Sequence, residues 1–257
     1  MANEIDHEFW REFRRAIKAE NPDALIVGEI WHEASEWVRG DQFDCVMNYS
    51  IQYACLDFFA KGVIRAESFA NRLAKVQVNH THGVNLAMFN LLGSHDTERF
   101  LTTCQGNVHK LALAVAFQLT YEGAPMIYYG DEVGMVGLND PDCRRGMIWD
   151  PEKQDLELLE WYRRLIALRR EYLPLRLGRC RTVVADSATN VFGFVRYLGK
   201  EQVLVLLNNS PTKQSVDLRG IHWPQATPKQ VQDLLGQEQV ELGQPVVLPP
   251  YGIRILG

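Results

Sequence analysis

Four short apolar runs, each ending in polar residues and spaced by helix-length segments, constrain this chain more than any other feature. The runs are Leu25–Trp31, Asp44–Tyr49, Asn85–Gly93 and Pro125–Tyr129. Each is too short for a buried helix, and each reads as a strand covered on both faces, as in a parallel sheet. Between and around them, residues 6–20, 51–60, 66–78, 107–121 and 155–171 carry apolar residues at helical spacing. Phe9, Phe13, Ala16 and Ile17 share one face of the first helix, and Asn21-Pro22 stops it. Strand and helix in alternation predict a parallel α/β sheet or barrel up to about residue 172.

The pattern changes after Pro174. Val191–Tyr197 alternates with period two, and Val203–Asn209, Ser215–Leu218, Val246–Leu248 and Gly252–Leu256 follow between turn signals. This predicts a small antiparallel β domain, read as a sandwich. The boundary is placed so that residues 1–176 form the α/β domain and 177–257 the β domain. A chain of 257 residues, 46% hydrophobic and 23% charged, has ample material for both cores.

The net charge of −5 and the lack of long basic stretches exclude nucleic acid as the expected partner. No apolar run is long enough to span a bilayer, and the N-terminus lacks a basic-then-apolar signal pattern. Five scattered cysteines form no CxxC pair, so reduced thiols and a cytoplasmic location are expected. No acid cluster has ligand-like spacing, so neither metal nor cofactor is expected.

Chemistry concentrates where the apolar runs end, at the rim where α/β folds build active sites. Glu29 closes the first run and Asp96 the third. Two such carboxylates suggest glycoside chemistry, which works with paired acids. Glu29 reads either as a general acid or as a strand-end acid paired with a basic neighbour. Asp96, in Gly93-Ser-His-Asp-Thr-Glu-Arg99, reads either as a site residue or as the cap of a following helix. Trp31 offers a flat face to a sugar ring, or packs as ordinary core.

Gly28-Glu-Ile-Trp-His32 and Leu92-Gly-Ser-His-Asp-Thr-Glu-Arg99 resemble two signature regions of the α-amylase family of glycoside hydrolases. Tyr128-Tyr-Gly-Asp-Glu132 resembles the end of that family's eighth strand. Asn139-Asp-Pro-Asp-Cys-Arg-Arg145 with Trp149-Asp150 resembles the next loop in the cyclomaltodextrinase, neopullulanase and maltogenic amylase subgroup. Ala2-Asn-Glu-Ile-Asp-His-Glu-Phe-Trp10 resembles the segment following the nucleophile.

The resemblance implies the second half of a (β/α)8 barrel, strands five to eight, followed by a C-terminal β domain. It implies that Glu29 is the general acid/base and Asp96 the transition-state-stabilising aspartate. His95 is then a sugar hydrogen-bonding residue, with Asp140 and Arg144 one subsite further out and Asn3, Glu4 and Trp31 on the acceptor side. Ala2-Asn3-Glu4 match the tail of the nucleophile segment, which places Met1 just after the nucleophile and the nucleophile before residue 1. The expectation is a fragment of a retaining hydrolase of α-1,4 glucosidic bonds, with α-1,6 bonds as a second class, acting on maltooligosaccharides, cyclodextrins or pullulan and inactive by itself. Half a barrel has open strand edges, so self-association is expected. The alternatives are a non-catalytic carbohydrate-binding or scaffold protein on a decayed amylase fold, and a trehalose synthase or oligo-1,6-glucosidase relative.

Overall fold

A computed structural model describes residues 2–228, 230–241 and 243–257. The expectation that named Met1 therefore lies outside the described residues. Helix α1 (His7–Glu20) opens on Asp6, whose carboxylate accepts from the Phe9 amide at 2.9 Å. Its polar side is moored by Asp44, which meets Arg14 at 2.8 Å, Lys18 at 3.0 Å and the Ile26 amide at 2.8 Å. That mooring sets α1 beside β1 (Val27–Gly28) and β2 (Cys45–Val46). Helix α2 (Tyr49–Cys55) runs into a π-helical turn (Leu56–Ala60), followed by α3 (Ala66–Asn79), α4 (His82–Ala87) and β3 (Phe89–Leu91). Then come α5 (Phe100–Thr103), α6 (Val108–Thr120), β4 (Ala124–Met126), α7 (Leu156–Glu171) and α8 (Leu173–Leu177).

β1 pairs with β2, and β3 with β4, all parallel; a parallel bridge from Met47 to Phe89 joins the two pairs. The order β1-β2-β3-β4 is therefore sequential, each crossover placing the next strand on the same side of the last. The paired strands are much shorter than the apolar runs that announce them. Asn85–Ala87 is helical rather than extended, because Thr81 caps α4 by accepting from the Val84 amide at 3.4 Å. Tyr49 belongs to a helix rather than to the second strand, because Asn48 caps α2 through the Ile51 amide. The residues that follow the ladder, among them Glu29–Trp31, Leu92–Gly93 and Ile127–Tyr129, build loops at the rim.

The C-terminal part is a four-stranded antiparallel sheet in the order β12-β7-β6-β5, from β5 (Arg179–Asp186), β6 (Val191–Leu198), β7 (Glu201–Asn208) and β12 (Ile253–Leu256). Two ribbons accompany it, β8 (Gln214–Val216) with β11 (Val246–Leu248), and β9 (Gln230–Gln232) with β10 (Gln239–Glu241). β5, β9 and β10 are absent from the sequence reading. Arg179–Asp186 begins with alternating charges and so lacks the apolar pattern of a core strand.

Period-two alternation in β6 does not mark one wet face, since Val191–Arg196 are all buried. Phe192 and Phe194 face the helices, in one cluster with Phe69, Phe117 and Leu165. Val191 and Val195 face the ribbons, with Val216, Trp223 and Leu248. Arg196, fully buried, ties the two parts together. It donates to the Thr120, Leu175 and Gly178 carbonyls at 2.7, 2.9 and 2.8 Å. Burial lowers its pKa, and the three carbonyl dipoles offset part of the cost of a buried cation.

Among the described residues no helix is long and apolar enough to cross a membrane, and no group of three or more His, Cys, Asp or Glu is placed to hold a metal ion.

Candidate active site

Because β1 to β4 are parallel, the segments that follow them emerge on one side of the sheet. Glu29 follows β1 directly and is half-buried. Its Oε1 accepts from the Tyr49 hydroxyl at 3.3 Å. The same hydroxyl lies 3.4 Å from Ser94 Oγ, and Ser94 Oγ in turn accepts from the Asp96 amide at 3.3 Å. Glu29 and Asp96, 67 positions apart in sequence, are thus joined through two intervening hydroxyl groups. Burial, with the charges of Glu29 and Asp96 adding to it, pushes the Tyr49 phenol up to about 12, so it stays a donor across the working pH range. Trp31 lies flat on Tyr49, with ring centroids 4.3 Å apart at 14°. One face of Trp31 is therefore used in packing.

Asp96 does not cap a helix. The Ser94–Thr97 turn is closed by the Ser94 amide donating to Thr97 Oγ1 at 3.0 Å, and α5 begins only after Arg99. The Asp96 carboxylate instead meets Arg144 Nη2 at 3.0 Å and His95 Nε2 at 3.2 Å. Arg144 Nε also reaches Asp140 at 2.8 Å and the His95 carbonyl at 2.9 Å. The structure so brings His95, Asp96, Asp140 and Arg144 into one chain of contacts. The half-exposed His95 ring remains open to solvent.

Asn3 and Glu4 sit in a 3₁₀ turn (Ala2–Glu4) whose Ala2 amide donates to the Glu29 carbonyl at 3.4 Å. Asn3 Nδ2 donates to Glu4 Oε1 at 3.0 Å, and neither side chain joins the Tyr49–Ser94 link. Behind Tyr49, a cleft of about 210 Å³ opens between the loop after β1 and α3, lined by Glu33, Met47, Tyr49, Asn79 and His80 among others. It flanks the carboxylates rather than lying between them. Burial opposes the charge of Glu33, yet hydrogen bonds from Ser35, with His80 and Asn79 nearby, hold its carboxyl below the usual range.

Tyr49 and Ser94 are the site residues that the sequence reading passes over. Tyr49 closes the second apolar run, just as Glu29 closes the first, and that position is the signal that finds it. Ser94 carries no such mark. Its part depends on the turn that aims its hydroxyl between Tyr49 and the Asp96 amide.

Residues 2–178 match the family described as alpha amylase, catalytic domain, and residues 181–255 match maltogenic amylase, C-terminal domain. The chain is 49% identical over 259 residues to a cyclomaltodextrinase of Geobacillus thermopakistaniensis, covering 98% of this chain and 43% of that protein. It is equally identical, over 259 residues, to neopullulanase 2 of Thermoactinomyces vulgaris, covering all of this chain and 44% of that protein. A solved cyclomaltodextrinase structure superposes with a TM-score of 0.90 at 41% identity, over all of this chain and 44% of that one. The chain thus spans less than half the length of these relatives and matches their C-terminal part. With the catalytic-domain match spanning most of its residues and the maltogenic amylase C-terminal domain match following it, this chain belongs to the α-amylase family of glycoside hydrolases.

Proposed function

We propose that this chain carries the general acid/base and the hydroxyl-binding carboxylate of a retaining α-glucan hydrolase. Glu29 serves as the acid/base, and Asp96 holds sugar hydroxyls beside the developing oxocarbenium ion. The observation that carries the proposal is the Glu29–Tyr49–Ser94–Asp96 link, which sets both acids on the same rim. His95 contacts the sugar before the cleaved bond, Asp140 and Arg144 bind one unit further out, and Asn3, Glu4 and Trp31 line the acceptor side. The substrates are maltooligosaccharides, cyclodextrins or pullulan, cleaved at α-1,4 and in some cases α-1,6 bonds. No cofactor takes part. The five cysteines are free thiols and four are buried, which supports a reducing, cytoplasmic setting.

The finer proposal is that residues 1–176 are strands five to eight of an eight-stranded barrel and 177–257 a sandwich domain. Sequential parallel pairing of β1 to β4 supports it. A retaining site needs a carboxylate nucleophile roughly 5 Å from the acid. In the family pattern that residue lies before Ala2-Asn3-Glu4, so a polypeptide limited to residues 1–257 binds glucan without turnover and self-associates through its open strand edges. Calorimetry with maltotriose tests the site, and Asp96→Asn abolishes the heat of binding if the proposal holds. Hydrolysis of maltotriose by the purified chain at the rate of an intact relative sinks the inactivity, and a monomer by light scattering at micromolar concentration sinks the association.

A further inference from the structure

Arg99 ends the Gly-Ser-His-Asp-Thr-Glu-Arg segment but touches neither Glu29 nor Asp96. Its side chain is fully buried. Nη1 donates to Asp131 Oδ1 and to the Tyr129 carbonyl, both at 2.8 Å. The guanidinium lies 4.5 Å from the ring centre of Tyr128 and 5.0 Å from that of Tyr129. Nε and Nη2 make no hydrogen bond, so a single nitrogen and two ring faces hold the cation. A buried charge this sparsely satisfied is kept at some cost, which suggests a role beyond packing.

Its backbone points to that role. The Arg99 amide donates to the Gly137 carbonyl at 3.0 Å, and the Gly137 amide donates to Thr102 Oγ1 at 2.9 Å. Gly137 is pressed against the next turn, where an added Cβ would stand 2.9 Å from Cys143 Cα. Cys143 Sγ and Arg144 Nε both donate to the His95 carbonyl, at 3.0 and 2.9 Å. Arg99 is thus shared by the segment that carries Asp96, by Tyr129–Asp131 after β4, and by the loop that carries Asp140 and Arg144.

We propose that Arg99 is a positioning residue: clamped by Asp131 and the two tyrosine rings, it holds the 137–145 loop so that Arg144 stays on Asp96. This rests on the glucan-site reading above only for its effect on sugar. The loop itself reports independently, because its own Cys143 is fully buried, as are Cys45, Cys55 and Cys104 elsewhere.

The test is alkylation of each thiol by iodoacetamide, followed by mass spectrometry on the full chain. Arg99→Met speeds modification of Cys143 about tenfold while Cys45, Cys55 and Cys104 keep their rates, since only local opening is made easier. Arg99→Lys restores most of the protection, because an ammonium can serve the two acceptors that Nη1 serves. Asp131→Asn, which keeps the shape of the clamp and removes its charge, gives an intermediate rate and decides the matter should Arg99→Met not fold. An unchanged Cys143 rate, or one that rises in step with the other three, overturns the proposal. Maltotriose affinity falls with Cys143 protection if the site reading also holds. Failure of the unsubstituted chain to bind maltotriose sinks that reading alone, and the Cys143 rates still decide the role of Arg99.

Discussion

Tyr49 Oη stands 3.3 Å from Glu29 Oε1, and the Tyr49 ring lies flat against Trp31. One residue thus supplies both a hydrogen bond to the proposed acid and the floor under the aromatic face beside it. Tyr49→Phe separates the two contributions. It keeps the stack and removes the hydroxyl, costing about 1 kcal/mol. Tyr49→Ala removes both and opens a cavity, costing about 3–5 kcal/mol. Urea unfolding checks both values, and equal losses in the two variants would refute the separation.

Gly28 precedes the acid and leaves no room for a side chain. An added Cβ would lie 2.5 Å from Phe43 Cδ2 and 2.8 Å from Cε2. Phe43 is buried against Trp10 and Trp37, so its ring has little freedom to withdraw. Gly28→Ala is expected to lose about 1–3 kcal/mol through overpacking and to tilt Glu29 away from Tyr49. A denaturation midpoint within error of the unsubstituted chain would count against it.

Asp131 makes stability depend on pH. Burial pushes its carboxyl from an ordinary value of 3.8 up to about 7, with Glu132 adding to the rise and Arg99 opposing it. Burial raises the Tyr162 phenol of α7 well above its usual value, with the charges of Asp131 and Glu132 adding to the rise, so it stays neutral. The folded form holds the proton more tightly than the unfolded form. The contribution is therefore complete below pH about 4 and is lost as pH rises to about 7, at up to roughly 1.4 kcal/mol per unit. Asp131→Asn flattens this slope, which urea midpoints measured from pH 4.5 to 8 will show.

Arg196 joins the helical part to the β sheet through three carbonyls. Truncation to Ala strands those acceptors and leaves a void, for an expected loss of about 3–5 kcal/mol. Lys in its place keeps a charge but loses the planar fork and recovers only part. Near-UV circular dichroism during urea unfolding reads the loss.

The alternation of apolar runs with helical segments determined by itself that the first part of the chain is parallel α/β, because period and length are local properties. The same runs marked Glu29 and Asp96, since a carboxylate closing an apolar strand stands out without coordinates. Tertiary structure decided how little of each run is ladder. Side-chain caps at Asn48 and Thr81 compete with extension, and a residue-by-residue pattern does not register them. It decided that both faces of β6 are buried, because the second face is covered by helices far away in sequence. It also decided what Tyr49, Ser94 and Arg99 do. Each acts through a partner 20 to 45 positions away, and such distances are closed only by packing.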